Sequence, residues 1–133
     1  MCKTRWLDQT ALRLPYLALC TSEKQYLKIM KYLKVENVSA WLSDSAGASN
    51  HTFIKNGKLT CVVCVRIDKG RDIASTASYL AHESVHVAQE MFEAIGEEKP
   101  SCEVYAYAFE NATRNLMDEY LRQEKRHKRA AKN

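Results

Sequence analysis

The stretch DIASTASYLAHESVHVAQEMFEAIG, residues 72–96, decides how the rest of the chain is read. Asp72 stands where an N-cap accepts a hydrogen bond from the first turn of a helix, and Gly96 stands where helices commonly end. Between them Ile73, Ala77, Leu80, Val87, Met91 and Ile95 recur at helical spacing as an apolar stripe, while Tyr79, His82 and His86 project from the other side. The spacing predicts a helix from Asp72 to about Ile95, anchored on one face and carrying its imidazoles on the other.

Those imidazoles bound the pentapeptide His82-Glu83-Ser84-Val85-His86, an HExxH pattern. Two histidines four apart on a helix have Cβ atoms ~5 to 6 Å apart, so both rings can meet one divalent ion at ~2.0 to 2.1 Å. Zinc is the cofactor this pattern predicts. Glu83, beside the first imidazole, is the candidate general base: it would take a proton from a water activated by the ion and pass it to the leaving amine. Two carboxylates compete as third ligand. Glu103 falls in the first turn of a following helix, where the macrodipole favours an anion. If the first helix runs to Ile95, however, His86 lies ~13 Å below the turn at ~1.5 Å per residue, and Glu110 would sit opposite it in a regular helical hairpin. Spacing alone leaves Glu103 and Glu110 both open.

Reading outward, two β-prone runs, His51 to Ile54 and Leu59 to Ile67, flank Lys55-Asn56-Gly57-Lys58, and Asn-Gly between such runs predicts a hairpin. Further upstream, Ser22 and Gln25 form a capping-box pattern, followed by Tyr26, Ile29, Met30 and Leu33 at helical spacing. Leu12 to Cys20 reads as a strand, with Pro15 marking an edge or a bulge. Downstream, Ser101 can cap a last helix running to about Arg126, with Phe109, Leu116 and Tyr120 as its apolar contacts. The expected fold is α+β and zincin-like: a small, mostly antiparallel sheet with a β-hairpin packed on the HExxH helix, then a ligand-bearing helix.

A chain of 133 residues with 46% hydrophobic and 27% charged residues is sized and composed for one globular domain. Residues 122–133 hold six Lys or Arg and one Glu, so the net charge of +4 resides there. We therefore read residues 1–121 as the metallopeptidase domain and 122–133 as a basic tail, a solvated helix end open to weak contact with nucleic acid or an acidic partner. Arg13 and Pro15 interrupt the only apolar run near the start, which argues against an export signal, and no run is long enough to cross a membrane. Five cysteines fit reduced thiols and a cytoplasmic setting. Cys61 and Cys64, three apart in a strand, face opposite sides and read as core. Tyr79, Tyr105, Tyr107 and His51 lie where one could stabilise a transition state, His51 also being a candidate fourth ligand; His127 reads as exposed.

The signatures Leu80-Ala81-His82-Glu83-Ser84-Val85-His86-Val87-Ala88-Gln89 and Glu103-Val104-Tyr105-Ala106-Tyr107-Ala108 resemble those of small, phage-encoded zinc metallopeptidases among the minimal gluzincins. Leu14-Pro15-Tyr16, Trp41-Leu42-Ser43 and Ile95-Gly96-Glu97 extend the resemblance more loosely, so that it covers most of residues 6–121. The resemblance implies His82, His86 and Glu103 as zinc ligands and Glu83 as base. Tyr105 stands where that pattern has an acidic residue. The strand Leu59 to Asp68 resembles the zincin edge strand that holds an extended polypeptide substrate by β-augmentation. A more distant likeness to ImmA/IrrE-type peptidases implies a regulator cutting one repressor; a zinc-stabilised, non-catalytic assembly protein is the third expectation, with a phage virion or a host protein as partner in the host cytoplasm.

Overall fold

The computed structural model describes residues 3–7, 16–43, 45–55 and 57–133. In chain order these form β1 (Tyr16–Cys20), α1 (Glu23–Tyr32), β2 (Ala48–Lys55), β3 (Lys58–Val65), α2 (Ile73–Ala94) and α3 (Cys102–Lys132). The fold is α+β. Residues 12–15 of the expected first strand, Pro15 among them, and Asn56 of the hairpin turn lie outside the described residues.

Local chemistry accounts for most boundaries. Ser22 Oγ accepts the amide of Gln25, Asp72 that of Ser75 and Ser101 that of Val104, so each helix starts on the cap its sequence supplies. The Ser75 amide also holds the Asp72 carboxyl below the usual carboxylate range. Gly57 closes the β2–β3 hairpin at φ 73°, a conformation that favours glycine. Ile73 and Ile95 depart from the expected stripe: at 51% and 60% exposed, they lie at the helix ends, beyond the packed middle.

The sheet runs β1-β3-β2, with β1 parallel and β2 antiparallel to β3. It is a mixed sheet rather than the mostly antiparallel one expected, because β1 and β3, separated by α1 and β2, pair in the same direction. The strand read as an edge is the centre. In Cys61-Val62-Val63-Cys64-Val65 no polar residue alternates with the apolar ones, and all five are buried because helices cover both faces. One face packs Leu17, Leu19, Cys61 and Val63 against Leu80 and Val87 of α2 and Leu116 and Tyr120 of α3. The other packs Ala18, Val62 and Cys64 against Tyr26, Ile29 and Met30 of α1. Each large apolar side chain so buried contributes about 1.5–3 kcal/mol. Cys61 and Cys64 enter opposite clusters, as strand alternation requires, and burial pushes the Cys61 thiol up to about 12.

The free edges are unequal. Trp6 bridges Ala18 and the Leu7 amide donates to the Leu17 carbonyl at 2.8 Å, covering the outer side of β1. The outer side of β2 is paired with no strand among the described residues.

The basic stretch is no appendage. α3 continues through it to Lys132, and Gln123 is buried: its Nε2 donates to the Leu19 carbonyl at 3.1 Å, while its Oε1 accepts from Thr21 Oγ1 at 2.7 Å and Gln25 Nε2 at 3.1 Å. The expected boundary at 121/122 thus falls inside a helix pinned to β1 and α1. Gln123→Leu should lower stability by about 2–4 kcal/mol in urea unfolding, because it removes the bonds to the buried Leu19 carbonyl and Gln25 amide and to the half-buried Thr21 hydroxyl at once. A loss below ~0.5 kcal/mol would mean that the end of α3 is not anchored here.

Candidate metal centre

α2 brings His82 and His86 together on its exposed face. Their ring centroids are 5.0 Å apart, and their Nε2 atoms face each other at 3.3 Å. Two nitrogens bound tetrahedrally to zinc at ~2.0 to 2.1 Å are ~3.3 to 3.4 Å apart, so the pair already has the spacing of two corners of such a site. A shared proton between two imidazoles gives a similar separation, and in either case the two lone-pair directions converge. Gln89, three residues on, places Oε1 3.3 Å from His86 Nδ1. Because an amide oxygen only accepts, this contact assigns the proton to Nδ1 and leaves Nε2 free to bind. Sequence reading gave Gln89 no role; its offset of three from His86 was the available signal.

Glu83, next to His82 on the helix, is buried and within electrostatic reach of both imidazoles. Its residue is 7% exposed, and its carboxylate accepts no hydrogen bond from any described residue. Burial raises its pKa above the ordinary glutamate value, and the imidazoles of His86, His82 and His51, in that order, offset part of the shift. A buried, unpartnered carboxyl beside two convergent imidazoles fits a site in which a water or a cation completes the set.

The third donor is another matter. Among the described residues no three His, Cys, Asp or Glu side chains are grouped closely enough to hold an ion. Glu103 and Glu110, seven apart, share one exposed stripe of α3 and differ in height. Tyr105 stacks on Phe92 at 5.7 Å, and Ala108 packs with Ala88 and Met91; at the far end Leu121 and Glu124 line a cleft with Ile73 and Thr76. This antiparallel register puts Glu110 level with His86, and Glu103 level with Ala94, ~12 Å along the axis at ~1.5 Å per residue. α2 does not end early enough to bring Glu103 down to the pair. The tilt of side chains toward each helix's own N-terminus widens the gap for Glu103.

The remaining candidates are dispersed. His51 faces the α1 side of the sheet, where its ring contacts Tyr26 at 4.8 Å and its Nε2 lies 3.0 Å from the Trp41 carbonyl. A carbonyl only accepts, so Nε2 carries the proton, and alternation along β2 turns the ring to the sheet face opposite the one packed on α2. Tyr105 is used in packing, its hydroxyl 3.5 Å from the Val85 carbonyl. Tyr107 is 62% exposed. Tyr79 stays on the face of the pair, one turn before His82, and its ring approaches Gly47 so closely that a Cβ there would sit 2.5 Å from Cε2. His127 is exposed. No described helix is long and apolar enough to cross a membrane.

No family model, curated protein or solved structure matches this chain.

Gln89→Leu should weaken zinc binding by about 10- to 100-fold in chelator competition, the usual cost of losing the outer partner of a ligating histidine. An unchanged affinity would mean that Gln89 does not orient His86.

Proposed function

We propose that the chain is a zinc-dependent peptidase in which His82 and His86 hold the ion and Glu83 is the general base. The observation that carries this reading is the pair of Nε2 atoms 3.3 Å apart with a buried carboxyl, free of hydrogen bonds from any described residue, within electrostatic reach of both. Zinc bound there would supply Lewis acidity to the scissile carbonyl and to water. Glu83 would accept the proton of the attacking water and deliver it to the departing amide nitrogen. Its desolvation supports that task, since a carboxylate starved of hydrogen bonds is a stronger base than one in water.

An extended polypeptide is the substrate class that fits. With β3 central and the outer side of β1 covered, the open edge of β2, on which α2 packs, offers backbone donors and acceptors to an added strand. The test is digestion of a denatured protein by the zinc-loaded chain, with fragments mapped by mass spectrometry. Cleavage that is lost in Glu83→Gln supports the reading. Zinc retained without any cleavage would overturn it in favour of a structural ion that holds an assembly protein together.

A further inference from the structure

A cavity of about 650 Å³ lies between the loop before β2, the β3–α2 connection and the first turns of α2. Tyr79 forms one wall, one turn from His82, so the cavity continues the row of side chains that carries the imidazole pair. Two guanidinium groups line it, each laid on an aromatic ring: Arg66 over Trp41 and Arg71 over Tyr79, both at 5.3 Å.

Neither arginine pairs with a carboxylate among the described residues. Arg71 is held by Thr76 Oγ1 at 2.9 Å and by the Arg66 carbonyl, which fixes its fork without neutralising it. The two acids of the cavity are turned to backbone instead. Asp68 accepts the Gly70 amide at 2.8 Å, and Asp72 accepts the Ser75 amide at 2.7 Å. The platforms are braced in turn: Gly47 leaves room for the Tyr79 ring, and His51 ties the Trp41 carbonyl. Two oriented, unneutralised forks in one polar cavity form a receptor for a planar anion with two oxygens.

We infer that this cavity is a subsite for the carboxylate of an acidic residue, read by Arg66 and Arg71, so that the chain selects peptides carrying Asp or Glu close to the bond presented to His82 and His86. The inference rests on the peptidase reading for its last clause only; the recognition of a carboxylate stands on the cavity.

Calorimetric titration of the full chain with two blocked tripeptides, acetyl-Ala-Glu-Ala-amide and acetyl-Ala-Gln-Ala-amide, tests recognition without requiring turnover. The acidic peptide should bind at least ~10-fold more tightly, through charge-assisted paired hydrogen bonds. Added salt should erode that preference, and Arg66→Gln, at an exposed position, should abolish it. Arg66→Lys, which keeps the charge and loses the fork, should retain only part of it. Equal binding of the two peptides, or a preference untouched by Arg66→Gln, overturns the subsite. Cleavage mapping separates the two readings: cuts without enrichment of Asp or Glu overturn the subsite and leave the peptidase, whereas acid-selective binding without any cutting leaves the subsite and overturns the peptidase.

Discussion

Zinc content should fall from one equivalent per chain to none in His82→Ala and in His86→Ala, each measured on purified, dialysed protein. The loss should exceed the ~10- to 100-fold that removal of an outer partner costs, because each variant removes a donor atom itself. Both side chains are exposed, so neither substitution opens a cavity, and the fold should persist in each. The same measurement on Glu103→Gln and Glu110→Gln decides the third donor. The antiparallel register expects Glu110→Gln to lose zinc and Glu103→Gln to keep it. The opposite result would mean that ion binding draws α3 along α2 by about two turns, toward the arrangement the phage metallopeptidase resemblance implies. Zinc retained in both histidine variants would remove the basis of the site.

Glu83→Gln should reduce cleavage by about 10²- to 10⁴-fold while zinc stays bound, since an amide of the same shape cannot accept the proton. The variant should also be more stable than the parent at neutral pH when metal-free. Glu83 has its folded-state pKa raised by burial, so its contribution is fully present below the unfolded value and is lost as pH rises through the folded one. Parent and variant should therefore unfold at nearly the same temperature near pH 4, with the gap opening to a few degrees by pH 7. Scanning calorimetry across that range checks the sign. A gap that widens toward acid pH would mean that the carboxylate is stabilised as an anion by partners the structure does not bring to it.

How far these features could be read from the chain depended on whether the signal was local. Ser22, Asp72 and Ser101 announced the helix starts because a cap is decided within three residues. The hairpin between His51 and Ile67 was equally legible, because Asn-Gly between two β-prone runs is a local signal and Gly57 takes the positive φ it offers. The place of β3 was not: its unalternating run could say that both faces are covered, but not which strand covers which edge, and the edge-strand likeness misdirected it. The parallel pairing of β1 to β3 depends on contacts more than forty residues apart, to which no periodicity refers. The same limit hid Gln123, whose partners Leu19, Thr21 and Gln25 are 104, 102 and 98 residues away. In the site, helical spacing put His82 and His86 on one face of α2, where the structure has them, and left Glu103 and Glu110 level in merit. Contacts across the two helices, the stacking of Tyr105 on Phe92 and the packing of Ala108 with Ala88 and Met91 among them, set the height of one helix against the other.

Cys20, Cys61 and Cys64 sit fully buried in the two clusters that sandwich the sheet, whereas Cys102 opens α3 at the surface. Thiolate, the reactive form, is further suppressed at Cys61 by its high pKa. Alkylation of the three interior sulfurs is therefore gated by how often the sandwich opens, not by how much reagent surrounds it. The fold thus carries its own clock for breathing of the core, and Cys102 supplies the reference against which that clock is read.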